Sequence, residues 1–368
     1  MTSIRPDLAN LDRPALEAAL EERGQQRFRA RQIFRWIYSR GVTDPAAMTD
    51  LSRQLRETLR AEFSLTTPEL VTRERSVDGT EKFLLRLADG QQIESVFIPD
   101  TPSMTFCIST QVGCAMACAF CLTGKMGLVR NLTAGEIAGQ VRVLADALGM
   151  RAKRFNIVLM GMGEPLHNYD ETMRALRILN DEHGMALPPR RVTLSTVGLL
   201  PALERLAHEP LMPNLAISLH APTDDVRGEL VPLNKKYGVK EIIEACERFP
   251  LARRRRITFE YVLLAGVNDS AGAARQLAKL LSGVKSKVNL IPLNAAPGIP
   301  FERPSDAAID GFARILSEQH LVVSVRKSRG RDIRAACGQL IVDGQRRSPG
   351  QTLAAALRLE PSVGNARL

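Results

Sequence analysis

The chain has 368 residues, and 50 Lys and Arg against 40 Asp and Glu leave it a net charge of +10. No apolar stretch reaches the ~18 residues that a bilayer crossing needs, and the first thirteen residues carry charges where a secretory signal needs an apolar core, so the expectation is a cytoplasmic protein without membrane association. A chain this long buries a core without cross-links; its six cysteines, three of them between Cys114 and Cys121, therefore point to metal or catalytic use rather than to a disulfide scaffold.

From Arg13 to about Arg60 the apolar residues recur at helical spacing (Leu16, Leu20, Phe34, Ile37, Tyr38, Leu51, Leu55), and Arg27, Arg31 and Arg35 stack on one face if that segment is helical. From Arg73 to Pro99 the period changes, and Asp89-Gly90 between two apolar runs predicts a β-hairpin. Beyond Ser103, seven short apolar runs alternate with amphipathic stretches. The expected strands are 104–110, 155–160, 192–196, 215–219, 257–264, 288–293 and 321–326, with helices over 133–148, 169–179, 201–208, 239–249, 272–281 and 305–317. Repeated βα units imply a parallel α/β sheet, either doubly wound or closed as a full or partial barrel. A barrel is favoured because Thr105, Cys107 and Ser109 share one strand face, and Asn214, Ala216, Ser218 and His220 another. Small and polar side chains along one face suggest a lumen that holds a ligand, and barrel chemistry sits at the C-terminal strand ends. The unusual residues fall there: Cys114 onward, Gly161 to Pro165, Ser195, Ser218 to His220, and Asn294.

The segment Gly113-Cys-Ala-Met-Ala-Cys-Ala-Phe-Cys121 has C-x3-C-x2-C spacing, three thiolates on a tight loop suited to an iron–sulfur site. Structural zinc normally takes four ligands, often as two separated pairs, and no second pair exists; His167 or His220 could still supply a fourth ligand, so zinc stays open. In its setting after the first strand of a βα array, the loop resembles the radical S-adenosylmethionine (SAM) superfamily. More narrowly, Phe28 to Trp36, Gln111 to Cys121, Gly161-Met-Gly-Glu-Pro165, Ser218-Leu-His-Ala-Pro222 and Ala335-Ala-Cys-Gly-Gln339, in this order, resemble the RlmN/Cfr adenosine methyltransferases.

The resemblance implies a partial (β/α)6-type radical-SAM barrel over 103–326, preceded by a helical RNA-binding accessory domain (1–72) and a β-hairpin linker (73–102), and followed by a catalytic loop and tail (327–368). It implies one 4Fe–4S cluster on Cys114, Cys118 and Cys121, with the fourth iron open for SAM, two SAM per turnover, and an electron donor such as flavodoxin or ferredoxin. Cys337 would take a methyl group from one SAM; a radical made from a second would take hydrogen from that S-methyl, and the carbon would add to adenine. Cys107 would then close a transient disulfide with Cys337 and release the RNA. Glu94 matches the general base, Gly163 and Glu164 the contacts to the SAM amino group, and Ser195, Ser218, Leu219, His220 and Asn294 contacts to the rest of SAM. The implied substrates are 23S rRNA and tRNA, with no obligate protein partner evident.

On the residues alone, Arg331 and Arg334 could favour a Cys337 thiolate, and Cys337 sits in what reads as a mobile loop. Cys246 on an amphipathic helix reads as structural, and no motif gives Glu260 a role. Basic residues gather at Arg27/Arg31/Arg35, at Arg253 to Arg256, and between Arg326 and Arg347, in patterns that neutralise phosphates. The expected activity is methylation of adenine carbon 2 in RNA. The alternatives are a Cfr-type enzyme acting on carbon 8, and a non-enzymatic RNA-binding protein stabilised by zinc.

Overall fold

Strand-forming alternation organises the molecule around one curled sheet. A computed structural model describes residues 5–99 and 104–342. The twelve strands are β1 (Glu69–Arg75), β2 (Glu81–Arg86), β3 (Gln92–Ile98), β4 (Thr105–Cys107), β5 (Gln111–Gly113), β6 (Leu128–Asn131), β7 (Asn156–Leu159), β8 (Val192–Thr196), β9 (Asn214–Ser218), β10 (Ile257–Leu263), β11 (Ser286–Pro292) and β12 (Val322–Val325). Ten form one sheet in the order β1-β2-β3-β4-β7-β8-β9-β10-β11-β12; β5 and β6 pair separately. The first four are antiparallel to their neighbours, and from β4 onward every pairing is parallel. The expected hairpin is β2–β3, turning through Asp89 and Gly90 (φ +85°). It does more than link: through β3–β4 it extends the barrel's own sheet, with Val96 opposite Cys107.

The parallel strands present alternate residues outward. Phe106, Ile157, Leu194, Leu215, Ile217, Phe259 and Leu290 are fully or almost fully buried. Phe106 packs against Phe155 and Phe97 with ring centroids 4.5 and 5.8 Å away, and each buried phenyl contributes ~1.5–3 kcal/mol. The other face lines the lumen, where one cavity is lined from β3 round to β12, so the sheet curls into a partial barrel. It does not close: β12 pairs only with β11, and the gap lies between it and β3–β4.

The six expected barrel helices form at Ala134–Ala147, Tyr169–Asn180, Leu200–Ala207, Val239–Arg248, Ala271–Leu280 and Asp306–Glu318. The first starts with a capping box: Thr133 Oγ1 accepts from Glu136 N–H at 3.2 Å, and Glu136 Oε2 from Thr133 N–H at 2.9 Å. A further helix, Asp224–Leu230, was not anticipated.

In the N-terminal region the helices are Arg13–Glu21, Arg29–Phe34, which runs on as a π turn to Ser39, and Arg53–Glu62. Leu16, Leu20, Phe34, Ile37, Leu55 and Leu59 fill its core. It is tied to the barrel by Arg13–Asp181 and Asp12–Arg177, both 2.8 Å, and by Gly135 N–H to Asn10 Oδ1 at 2.8 Å. A Cβ on Gly135 would meet Ala9 and Asn10 at under 3.0 Å, so glycine permits this close docking. The expected arginine face does not form. Arg27 precedes its helix and bonds Glu17 at 2.9 Å, leaving only Arg31 and Arg35 exposed on the helical turns. Of the Arg326–Arg347 cluster, Arg346 and Arg347 lie outside the described residues, as does the tail beyond.

Candidate active site

At the C-terminal strand ends one cavity is lined by Cys114, Cys118 and Cys121, by Gly163, Glu164, Ser195, Ser218, His220 and Asn294, and by Cys337. The three clustered cysteines come from the loop between β5 and the short helix Leu122–Met126. The β5–β6 pair frames the loop, with Cys114 N–H bonded to Gly127 O at 3.0 Å, and Gly113 (φ +77°) passes so close to Gly127 O that a Cβ there would lie 1.9 Å from it. Burial pushes all three thiols up, most strongly Cys114, and neighbouring sulfurs add to it. A bound soft metal reverses that preference by taking the thiolates. Three thiols from one loop that share one cavity suit an iron–sulfur cluster, in which each binds a different iron. His167 is engaged through Nδ1 by Gln111 at 2.9 Å, and His220 Nδ1 accepts from Val262 N–H at 3.1 Å.

The rim is a network of backbone and buried polar groups. Glu164 Oε1 accepts from Leu166 N–H (3.0 Å) and Oε2 from Val197 N–H (2.9 Å), while burial raises its pKa to about 7. His220, at φ +63°, is edge-on to Phe120 at 4.6 Å, and burial lowers its pKa to about 3, so it stays neutral. Ser195 and Ser218 hydroxyls stand 3.4 Å apart. Leu219 differs from its neighbours: its side chain is fully buried in the core and does not line the cavity.

Asn294 Nδ2 donates to Cys337 O at 3.3 Å, while Asn294 Oδ1 and Gln339 Oε1 are buried without a partner. Together with three thiols and a rim of small residues, the open Asn294 Oδ1 acceptor in this cavity fits a bound polar ligand beside an iron–sulfur cluster.

Cys337 and Cys107 line a smaller adjoining cavity together with Arg326 and Asn294. Both are free thiols. Burial, then the nearby Cys337 sulfur, pushes Cys107 up to about 12, opposed by Arg326. The cation at this pair is Arg326, which lines the same cavity as both sulfurs and whose pKa is raised, first of all, by the Cys337 sulfur. Arg331 and Arg334 are exposed and do not line either cavity, which corrects the expectation from sequence. The segment carrying Cys337 is also tethered rather than loose. Gly330 N–H bonds Asp78 at 2.9 Å, Leu122 N–H bonds Gly338 O at 2.8 Å, Thr123 Oγ1 bonds Leu340 O at 2.6 Å, and Gln339 bonds Ala295 O at 2.9 Å.

Glu94 lies on β3, buried, off the main cavity. Its Oε1 pairs with Lys82 Nζ at 3.0 Å and its Oε2 accepts from Ile341 N–H at 2.9 Å. Burial raises its pKa, and Lys82 opposes the rise. Its backbone is fixed by Ser109, whose hydroxyl donates to Glu94 O at 2.7 Å and accepts from Met162 N–H at 2.8 Å. Gln140 then joins β3 to the end of β4, accepting from Ser95 Oγ and Ser109 N–H at 2.8 Å each.

Two buried residues that sequence reasoning missed hold this arrangement. One is Gln140. The other is Arg227, fully buried on the helix Asp224–Leu230, which donates to Leu219 O (3.0 Å), Val197 O (2.7 Å), Ser218 O (3.2 Å) and Asn234 Oδ1 (2.8 Å). No motif marks Arg227; an arginine early in a short amphipathic stretch reads as surface. Cys246 is buried among helix-packing residues, as expected for a structural thiol. Glu260 does face the cavity and is bonded by Asn289 Nδ2 at 2.6 Å.

Residues 6–65 match the family model "Ribosomal RNA large subunit methyltransferase N-terminal domain", and residues 108–277 match "Radical SAM superfamily", whose members bind a 4Fe–4S cluster and SAM. A protein of Geobacter sulfurreducens described as dual-specificity RNA methyltransferase RlmN is 50% identical over 336 residues, 91% of each chain. A protein of Anaeromyxobacter dehalogenans with the same description is 46% identical and covers 98% of both chains. The crystal structure of a radical SAM methyltransferase from Sphaerobacter thermophilus is 50% identical and superposes with a TM-score of 0.86 over 91% of this chain and 99% of that one. With an N-terminal domain of that kind, a radical-SAM barrel and relatives alike across nine-tenths of its length, the chain belongs to the RlmN family of radical SAM methyltransferases.

Proposed function

We propose that this enzyme methylates carbon 2 of an adenosine in 23S rRNA at the peptidyl-transferase centre, and of the adenosine beside the anticodon in tRNA, through a methyl-cysteine on Cys337. The reading is of a cytoplasmic enzyme supplied with electrons by a flavodoxin- or ferredoxin-like donor. The observation that carries it is the meeting of Cys107, Cys337 and Arg326 in one cavity that opens onto the three-cysteine loop. Two thiols able to exchange, placed beside a cluster site, have no use in ordinary methyl transfer. A 4Fe–4S cluster would be held by Cys114, Cys118 and Cys121 and, with SAM bound, would supply the hydrogen-atom abstraction that an unreactive adenine carbon requires.

The chain's own residues do the rest. Cys337 attacks a SAM methyl through sulfur, with the Arg326 guanidinium beside it in the same cavity. Once the methyl carbon, stripped of one hydrogen, is bonded to adenine, Glu94 takes the proton from carbon 2, and the adduct's unpaired electron would pass to the oxidised cluster. The raised pKa of Glu94 makes it a stronger base than an exposed carboxylate. Cys107 then attacks the Cys337 sulfur: an S–S bond forms, the S–C bond breaks, and the released carbon takes up a proton to become the product methyl. An external thiol reductant restores both cysteines. Gly163, Glu164, Ser195, Ser218, His220 and Asn294 hold SAM at the rim, with His220 as a neutral hydrogen-bonding ring. Leu219 contributes through its backbone.

Mass spectrometry of nucleosides from RNA treated with the reduced enzyme tests the reading. A new methyl on adenine carbon 2 is expected, and a methyl at carbon 8 would overturn it.

A further inference from the structure

Below the thiol-lined cavity, the lumen continues towards the N-terminal strand ends as a space of about 570 Å³. Closed barrels fill this level with branched apolar side chains. Here Thr193, Asn214, Thr258 and Asn289 line it instead, and the space stays hollow. Arg190, Arg191, Lys287, Arg326, Lys327 and Arg329 stand around it, and Glu260 is its one carboxylate. Through Arg190 and Arg191 it adjoins a second polar cavity of about 340 Å³, under the N-terminal domain at Tyr38 and Ser39. That cavity adds Arg151, Lys153 and Arg154 and is lined by no acidic side chain. Of these nine cations only Arg151 forms an ion pair among the described residues, with Asp146, and its Nη1 remains buried without a partner. The lower lumen shares Met160, Glu260 and Arg326 with the cavity above, so the path reaches Cys337.

We infer that this cationic path, from the cavity beneath the N-terminal domain through the gap between β12 and β3–β4, is the track for the RNA backbone on either side of the target adenosine. The inference rests on the RNA-methylating reading above and extends it to a binding surface. Cations that outnumber the carboxylates around a hollow repel one another, and phosphodiesters relieve that repulsion while releasing their own counterions. The neutral floor of Thr, Asn and Ser side chains offers donors and acceptors to ribose hydroxyls and base edges. An extended single strand entering sideways through the open barrel can deliver one splayed-out adenine upward to the thiols while its phosphates stay below.

The test is fluorescence anisotropy with a labelled RNA hairpin carrying the target adenosine, titrated over a salt series. Lys153→Glu/Arg190→Glu and Lys287→Glu variants should each bind at least about tenfold more weakly, with the slope of log K against log salt shallower by ~1–2. An Arg275→Glu/Lys279→Glu variant on the outer face, which changes net charge as much as the double groove variant, should bind within about twofold of wild type. Should a charge reversal fail to fold, Lys153→Ala and Arg154→Ala, both exposed and without an ion pair, carry the same test. Groove variants that match wild type in affinity and salt slope would overturn the track. Methylation of Cys337 by SAM needs no RNA, and intact-protein mass spectrometry reads it separately. A wild-type enzyme that forms methyl-Cys337 and binds the hairpin, while its groove variants bind equally well, defeats the track alone. A wild-type enzyme that does neither defeats the functional reading itself.

Discussion

Along β8 to β11 the same strands build two unlike chambers. Near their C-terminal ends Val197, Val262, Ile291 and Leu293 surround thiols and a neutral histidine, an apolar setting with few charges. A few residues earlier, Thr193, Asn214, Thr258 and Lys287 surround a hollow bordered by cations. Radical chemistry benefits from the first setting, because dry, apolar walls exclude side reactions. Polyanion binding benefits from the second. Arg326 stands at the boundary and lines both. One strand period therefore serves two functions, separated only by height along the lumen.

Substitutions in the upper chamber should abolish chemistry without altering RNA affinity or its salt dependence; a weakened RNA complex in any of them would break the division. The largest effect is expected for Cys337→Ala. It should keep its iron and its reductive cleavage of SAM while RNA methylation falls ~10⁴-fold or more, as measured by methyl incorporation. Next, Cys107→Ala should accumulate a covalent protein–RNA adduct, visible as a shifted band on a denaturing gel; free, fully methylated RNA from that variant would remove Cys107 from the relay. Glu94→Gln should lower turnover by ~10²–10⁴. Because burial raises the Glu94 pKa, its neutral form is favoured in the fold. Its contribution to stability is thus fullest at acid pH and is lost as pH rises through that raised value, while the basic form needed for turnover appears over the same window. The wild-type methylation rate should therefore fall on the acid side, and Glu94→Gln should flatten that limb.

The smallest effect on chemistry, and the largest on the boundary of the chambers, belongs to Arg227→Met. It leaves the Val197, Ser218 and Leu219 carbonyls and Asn234 without their donor, costing about 2–4 kcal/mol in urea unfolding and raising the KM for SAM about tenfold. Unchanged unfolding would show that the clamp is not structural.

What sequence made legible was local. Alternation in Thr105–Cys107 and along Asn214–His220 placed the lumen face, Asp89-Gly90 placed the hairpin, and the spacing of Cys114, Cys118 and Cys121 placed three thiols on one loop at the cavity. What it hid depends on contacts between distant segments. Arg326 meets Cys337 only because the end of β12 lies beside the returning chain; Arg331 and Arg334 are nearer in sequence, yet they face solvent. Gln140 sits on a helix where periodicity marks only an inward position, and its bonds to Ser95 and Ser109 appear once β3 and β4 lie beneath it. Arg27 shared its spacing with Arg31 and Arg35, but the helix begins after it and Glu17 takes its charge. The tethering of Cys337 likewise comes from Asp78, Thr123 and Ala295, three segments far apart in the chain.

The open side of the barrel has a consequence for solubility. A sheet that stops short of closure leaves β12 as an edge strand, with backbone groups facing outward and Val322 and Val325 48% and 41% exposed. Such an edge is a template for pairing with another chain. Here it is only four residues long and is followed at once by Lys327 and Arg329, whose like charges keep two copies from docking edge to edge. Neutralising those two positions would therefore remove a safeguard against self-association, and the first sign would be turbidity at low ionic strength, before any loss of turnover.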